Sequence, residues 1–390
     1  MTPRKNINDD EAIGLLCNES ITGLEDYQKR SELSLRHDIT LLYIERNEEN
    51  LNRIVNGEKI LCRHWDGNSM IEGIAKIPSV IYDRVDVRSR KRKLTDAIIK
   101  ALEERDADFV NPLKFRLMAA DKWKQYQFFK ASGIELPETQ EYSEDSIDDL
   151  LNKYDTVFIK KKRASGGKSQ YVIKQISGNL YTVQSSTTNE RFTIKGLRKV
   201  IDYLDHKKIT ERTYIAQQGL NIDLHEGCVY DFRVLYHRGP IGKLSLTAIY
   251  MRIGIPESQQ ANVSKGGQFH DPIVVYEEPS ELLIPLIERS NKIMDILNNK
   301  FIVGEIGLDF LPIDEGHNFM LCEVNSKPGS KAIEELCRWN PSDDMHQKNG
   351  ITPYQYTNED RERWGKIRRE FRVKPIRYGQ WLHQTNNLIE

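Results

Sequence analysis

The chain has 390 residues, 38% of them hydrophobic and 29% charged, enough for two or three domains around a sizeable core. Its formal net charge of −1 argues against bulk electrostatic attraction to nucleic acid or an anionic membrane. No apolar run approaches the roughly 18 residues of a membrane span, and the opening MTPRKNINDDEAIG lacks the apolar centre of a secretory signal. The cysteines, Cys17, Cys62, Cys228, Cys322 and Cys337, are odd in number and form no CxxC pair. That pattern reads as free thiols in a reducing compartment, so a cytoplasmic location is expected.

Residues 1 to about 115 mix strand-like and helix-like pieces. IGLLC at 13–17, KILCR at 59–63 and PSVIYDRV at 78–85 read as strands, and the charged run near 44–55 reads as a helix. Such alternation predicts a small α/β layer. Ligands bind beyond the carboxyl ends of strands in these sheets, so Asp83 and Arg84 stand either at a cleft edge or in a loop ion pair.

Asp121 can cap a helix running to Ser132, with Trp123, Tyr126 and Phe129 at helical spacing and Gly133 and Pro137 as its stops. A second helix is expected over 146–154 with Ser146 as cap. TVFIK at 156–160 is an apolar strand, and the turn KRASGGKS leads to another at 171–176. GGKS is not a Walker A loop, because Lys162 stands where that motif needs glycine and a strand follows instead of a helix. A Gly-rich hairpin with basic flanks, including Ser165, Gly166 and Gly167, fits either a phosphate cover or an ordinary basic turn.

A further hairpin is expected over 178–195, with YTVQ against RFTIK, followed by an amphipathic helix at 197–204. YDFRVLY at 230–236 alternates, placing Asp231 and Arg233 on one face and Phe232 and Val234 on the other. A structural ion pair is one reading of those two charges. The next strand, 243–252, ends in Arg252, whose planar fork suits phosphate. NVSKGGQ, beginning at Asn262, then forms a Gly-rich loop. The longest helix is expected over 280–298, capped by Ser280, with Leu282, Leu286, Ile293 and Leu297 in its buried stripe. Another helix is expected at 331–338, and 340–358 is polar and turn-like. Over 361–381, Arg and Lys interleave with Trp364, Phe371, Tyr378 and Trp381. That mixture either stacks against nucleic acid or forms a basic helix packed on an acidic neighbour.

FIVGEIGLDFLPIDEGHNFMLCEVNSKPGS, at 301–330, carries the chemistry. It reads as strands at 301–311 and 318–324 joined by a turn centred on Gly316. The implied register pairs Leu311 with Leu321, Asp309 with Glu323 and Gly307 with Asn325, and puts Asp309, Glu323 and Asn325 on one face. Carboxylates facing one another across a ladder repel unless a cation lies between them. Hard oxygen donors suit Mg²⁺ that also holds nucleotide phosphates. The bland alternative, an edge hairpin with solvated acids, fits poorly among so many Ile, Leu, Phe, Met and Val.

GLD at 307–309, the gap of fourteen to Glu323, and EVNSKPG at 323–329 resemble the metal-binding hairpin of the ATP-grasp superfamily. The preceding motifs occur in a matching order: Asp121-Lys122 before GIELP, the strand-terminal Lys160, YIAQQG at 214–219, Asp231-Phe232-Arg233, and Arg252 with Asn262 and Gly266-Gly267. IPSVIYDR, Asp231-Phe232-Arg233 and 262–267 look most like the YheC/YheD-type branch, described as endospore coat-associated. The resemblance implies an α/β (α+β) fold, with two α+β lobes sandwiching the nucleotide behind a small α/β domain. The implied divisions are 1–117, 118–219, 220–340 and a basic extension at 341–390.

It further implies ATP with Mg²⁺, or Mn²⁺ in its place, the metal being held by Asp309, Glu323 and Asn325. Lys122, Lys160, Ser165, Gly166 and Gly167 would face the phosphates, and Gln217 or Gln218 would stand at the adenine hinge where many relatives carry an acid. Asp223 and Glu226 both qualify for the ribose. Arg233, Arg252 and Asn262 would serve the transferred phosphoryl group. Lys160-Lys161 departs from the family's common Lys-Pro, so Lys162 or Arg163 could share that role. The implied activity joins a small-molecule or peptide carboxylate to an amine or similar nucleophile through an acyl phosphate, without membrane or nucleic-acid partners. A phosphotransferase, and a non-catalytic or nucleotide-regulated coat protein, are the alternatives.

Overall fold

Apolar runs bounded by turn residues assemble into three sheets. The computed structural model describes residues 5–7, 9–17, 21–85, 91–164, 169–188, 190–256, 258, 261, 263, 266–338 and 356–386. The first sheet has the strand order Lys5–Ile7, Met70–Ala75, Ile60–Trp65, Leu41–Ile44, Ile13–Leu16, Val80–Asp83 and Asp108–Phe109. Its last four strands run parallel. Ile13–Leu16, Leu41–Ile44 and Val80–Asp83 are buried throughout, as expected of parallel strands covered on both faces. Ile54, Ile98 and Leu102, from helices Glu48–Asn56 and Arg92–Glu103, cover one face. Tyr27, from helix Ile21–Leu35, covers the other together with Ile376 and Tyr378 from near the C-terminus.

The second sheet is antiparallel, in the order Arg191–Lys195, Leu180–Ser185, Gln170–Ser177, Thr156–Lys161, Tyr214–Gln218 and Thr139–Glu141. Alternation sends Val157 and Ile159 into a core with helices Glu144–Lys153 and Leu197–His206. Phe158 and Lys160 point to the opposite face. Ser146, expected as the cap of the first of these helices, lies inside it. Ser143 is the cap, and Ser146 answers it in a reciprocal capping box, so the helix starts at Glu144.

The third sheet is antiparallel, in the order Gln268–His270, Leu244–Ile253, Cys228–Arg238, Glu305–Ile313 and Asn318–Asn325, with Leu224–His225 paired to Cys228–Arg238. Phe232, Val234, Leu308 and Phe310 pack on helix Pro279–Lys300 through Leu286, Ile293 and Leu297, and on Phe115 and Phe129 from the two helices Leu113–Ala119 and Lys122–Ala131. Ser280 is not the cap of the long helix. Pro279 occupies its first turn, where a missing N–H costs nothing, and Glu278, at the cap position, makes no side-chain capping bond.

The basic, aromatic stretch forms one helix, Asn358–Asn386. Trp364 and Phe371 lie in a core with Leu235, Tyr250 and Leu336, while Ile376 and Tyr378 lie against Ile13 and Tyr82. Arg363 pairs with Asp271, and Arg372 with Glu334. The helix is thus a packed strut between the first and third sheets. The polar run at 340–355 lies outside the described residues, as does Trp339 before it.

Candidate active site

The hairpin expected to hold the metal begins at Glu305 rather than 301, because residues 301–304 form the exit from the long helix. Gly307 pairs with Asn325 and Asp309 with Glu323, as the sequence predicts. Leu311 does not pair with Leu321. Beyond Asp309 the ladder slips, Phe310 meeting Leu321 and Leu311 meeting Met320. Cys322 is the extra residue of a β-bulge. At the tip, Asp314, Glu315 and Gly316 all take positive φ, of 56°, 57° and 80°. Asp223 holds that turn, its carboxylate accepting from the N–H of Glu315 at 3.1 Å and of Gly316 at 2.7 Å.

Three side chains that the sequence reading did not single out fasten the hairpin. Asn111 Nδ2 donates to the carbonyls of Glu305 and Ser326 at 2.8 and 2.6 Å, and its Oδ1 accepts from the N–H of Gly304 and of Glu305. Both ends of the hairpin are thereby tied through one amide. Gln125 accepts from Val324 N–H at 2.9 Å and donates to Val324 O at 3.1 Å, stapling helix Lys122–Ala131 to the strand beside Glu323. Glu305 receives Tyr82 Oη and Arg84 Nη1, each at 2.8 Å. The only sequence signal for these is polarity within apolar surroundings, which does not name a partner.

Asp83 and Arg84 reach across from the first sheet. Asp83 accepts from Lys327 Nζ at 2.5 Å and Arg116 Nη1 at 2.7 Å, while Arg84 also donates to Pro328 O at 2.9 Å. Asp83 therefore sits in an ion pair at the loop that follows the hairpin, and Arg84 pairs with Glu305 at the hairpin's start while bonding a carbonyl of that loop.

On the hairpin's polar face, Arg233 grips Asp309 through two bonds of 2.6 Å. Arg252 grips Asp231 at 2.5 and 2.7 Å and reaches Asp309 at 2.9 Å. Burial penalises the Asp309 charge, but the Arg233 and Arg252 guanidiniums outweigh it and hold the carboxyl at about 2. Burial pushes Asp231 up, to about 6, against the Arg252 guanidinium. Lys122 Nζ donates to Glu323 at 2.6 Å and to Ala164 O at 2.9 Å. Lys160 Nζ donates to Gln217 at 2.5 Å and lies over the Phe158 ring, and burial lowers its pKa. Gln218 accepts from Glu138 N–H instead.

Residues 111–349 match the family model described as YheC/D-like ATP-grasp. The chain belongs to that ATP-grasp family. The endospore coat-associated protein YheD of Bacillus subtilis (strain 168) is 27% identical over 287 residues, covering 67% of this chain but only 59% of that protein. Among solved structures, the ADP complex of N5-carboxyaminoimidazole synthetase from Staphylococcus aureus is similar at a TM-score of 0.51 and 13% identity, covering 91% of this chain and 80% of that one. N5-carboxyaminoimidazole ribonucleotide synthetase from Thermus thermophilus gives 0.50 at 13% identity over 87% and 79%. At such identities the likeness concerns the fold, which is the ATP-grasp fold.

Asp309, Glu323, Asn325, Lys122, Arg233 and Arg252 come together on one polar face. Lys160 and Gln217 share the face of the second sheet turned away from its core. Asp223 lies at the hairpin tip. Ser165, Gly166, Gly167 and Asn262 lie outside the described residues. Among the described residues no group of three or more His, Cys, Asp or Glu gathers. The expected cation site is instead the mixed set Asp309, Glu323 and Asn325, whose amide lies 3.3 Å from the Asp309 carboxylate. Ionised Asp309, the Glu323 carboxylate and the Asn325 amide oxygen are hard donors on one face, which fits Mg²⁺. No described helix is long and apolar enough to cross a membrane.

Proposed function

We propose that this ATP-grasp protein is an ATP- and Mg²⁺-dependent ligase that activates a carboxylate as an acyl phosphate and passes it to an amine or similar nucleophile, releasing ADP and phosphate. The observation that carries the reading is one polar face on which Asp309, Glu323 and Asn325 stand beside Lys122, Arg233 and Arg252. Mg²⁺ bound by the first three, or Mn²⁺ in its place, would supply charge neutralisation at the β- and γ-phosphates.

Lys122 and Lys160 would bind phosphate oxygens, and Gln217 with Gln218 would border the adenine. Arg252 would steady the phosphoryl group as a substrate carboxylate oxygen attacks it and ADP leaves. Arg233 and Asn262 would then hold the acyl phosphate while the nucleophile attacks the acyl carbon, loses its proton and expels phosphate. Such chemistry depends on positioning and preorganised charge and uses no covalent nucleophile. The acceptor would lie between the first sheet and the Gly266-Gly267 loop, and Ser165 to Gly167 would cover the phosphates.

A second reading, a nucleotide-regulated coat or assembly protein, is favoured by the coat association in the name of the Bacillus relative. Calorimetry of ATP with and without Mg²⁺, on wild type and Glu323→Ala, tests the site. ATP binding that Mg²⁺ strengthens in wild type, with that Mg²⁺-dependent gain lost in the variant, is expected, and screening of acids and amines for ADP release then separates ligase from assembly protein. Glu323→Gln that keeps full ATP turnover would disprove the metal assignment.

A further inference from the structure

The carboxylates offered to a cation already have counter-charges. Lys122 sits on Glu323 at 2.6 Å, and Arg233 and Arg252 both sit on Asp309, at 2.6 and 2.9 Å. Arg252 is held a second time by Asp231. These are the same cations that the proposed reaction assigns to phosphate, so each half of the site's charge occupies the other half.

Ligands arriving singly then meet opposition. A divalent cation alone would take the carboxylates and strand Lys122 and Arg233, whose side chains are only 22% and 15% exposed, leaving Arg252 with Asp231 alone. A nucleotide alone would draw those cations away and strand Asp309 and Glu323. Uncompensated charge in a poorly solvated site is costly. When both arrive, Asp309 and Glu323 meet the cation, phosphates meet Lys122, Arg233 and Arg252, and Arg252 still has Asp231 beside it.

We propose that the Lys122–Glu323 pair and the Arg233/Arg252–Asp309 pairs form an ion-exchange lock that couples divalent-cation and nucleotide binding. Each ligand raises affinity for the other by more than their association in water accounts for. The inference rests on the proposed nucleotide site.

The test separates the two ligands. ATP in excess EDTA is titrated calorimetrically into wild type, Glu323→Gln and Asp231→Asn, and Mn²⁺ alone is titrated into wild type and Lys122→Gln with free Mn²⁺ read by electron paramagnetic resonance. Glu323→Gln keeps an acceptor for Lys122 but removes the opposing charge. It is expected to bind metal-free ATP about tenfold tighter than wild type while gaining little from Mg²⁺. Asp231→Asn, which frees Arg252 without touching the cation's own donors, should move metal-free affinity the same way. Lys122→Gln should bind Mn²⁺ alone more tightly than wild type. If wild type binds Mg²⁺-ATP but every variant matches it for the single ligands, the lock is wrong and the site stands. If wild type binds no nucleotide under either condition, both readings fall.

Discussion

Asn111 illustrates how one polar side chain can position a site it does not touch. Its amide satisfies backbone groups at Gly304 and Glu305, which are buried, and at Ser326, which is half-buried. Asn111→Ala would leave these groups without partners, at about 1–3 kcal/mol for each group left desolvated, and more when several are lost. We expect a loss of about 3 kcal/mol in denaturant unfolding, together with weaker Mg²⁺-dependent ATP binding; a variant with unchanged midpoint and binding would show that the strap is dispensable. Gly304 beside it is constrained by space, since a Cβ there would run into the Val110 carbonyl oxygen. The motif residues of the hairpin were legible in the sequence because Asp and Glu among apolar neighbours are chemically conspicuous. Asn111 and Gln125 were not, because an amide's partners are set by tertiary approach.

At the level of elements, the bulge at Cys322 reconciles two demands. The hairpin's turn sets a register that would put Asp309 out of step with Glu323, and one extra residue restores the pairing at the site. Periodicity alone predicts an unbroken ladder, since a single inserted residue leaves almost no compositional trace. The end of the Val80–Asp83 strand makes a second join. Burial opposes the Asp83 charge, yet Lys327 and Arg116 more than offset it and hold the carboxyl below its ordinary range. A depressed carboxyl contributes stability above its unfolded value near pH ~3.9, and that contribution is lost as pH falls through the lower folded value. We therefore expect wild type to lose stability as pH falls below about 4, and Asp83→Asn to lack that component while being about 3 kcal/mol less stable at pH ~7, since buried Arg116 and half-buried Lys327 lose their shared carboxylate. Thermal melts from about pH 7 down to about pH 3 on both proteins check this, and parallel curves would assign the acid sensitivity elsewhere.

For the whole molecule, the helix Asn358–Asn386 decides how the parts are joined. Its Trp364 and Phe371 complete the core against the third sheet, and its Ile376 and Tyr378 complete the core against the first. Trp364→Ala is expected to cost about 3–5 kcal/mol by denaturant titration, and a chain ending before residue 357 is expected to lose cooperative unfolding because two cores are opened at once. A truncated chain with an unchanged, single transition would show that the helix is an accessory. Sequence alone determined the α/β layers, the order of the basic motif residues and the face that collects Asp309, Glu323 and Asn325, because local periodicity and turn chemistry report on neighbours within a hairpin or helix. Tertiary structure decided which cation each carboxylate keeps, which amides brace the hairpin, and that a basic, aromatic stretch is an internal strut. Those outcomes depend on contacts between segments up to 342 residues apart, such as Arg30 Nη1 on the Arg372 carbonyl, and no local pattern encodes them.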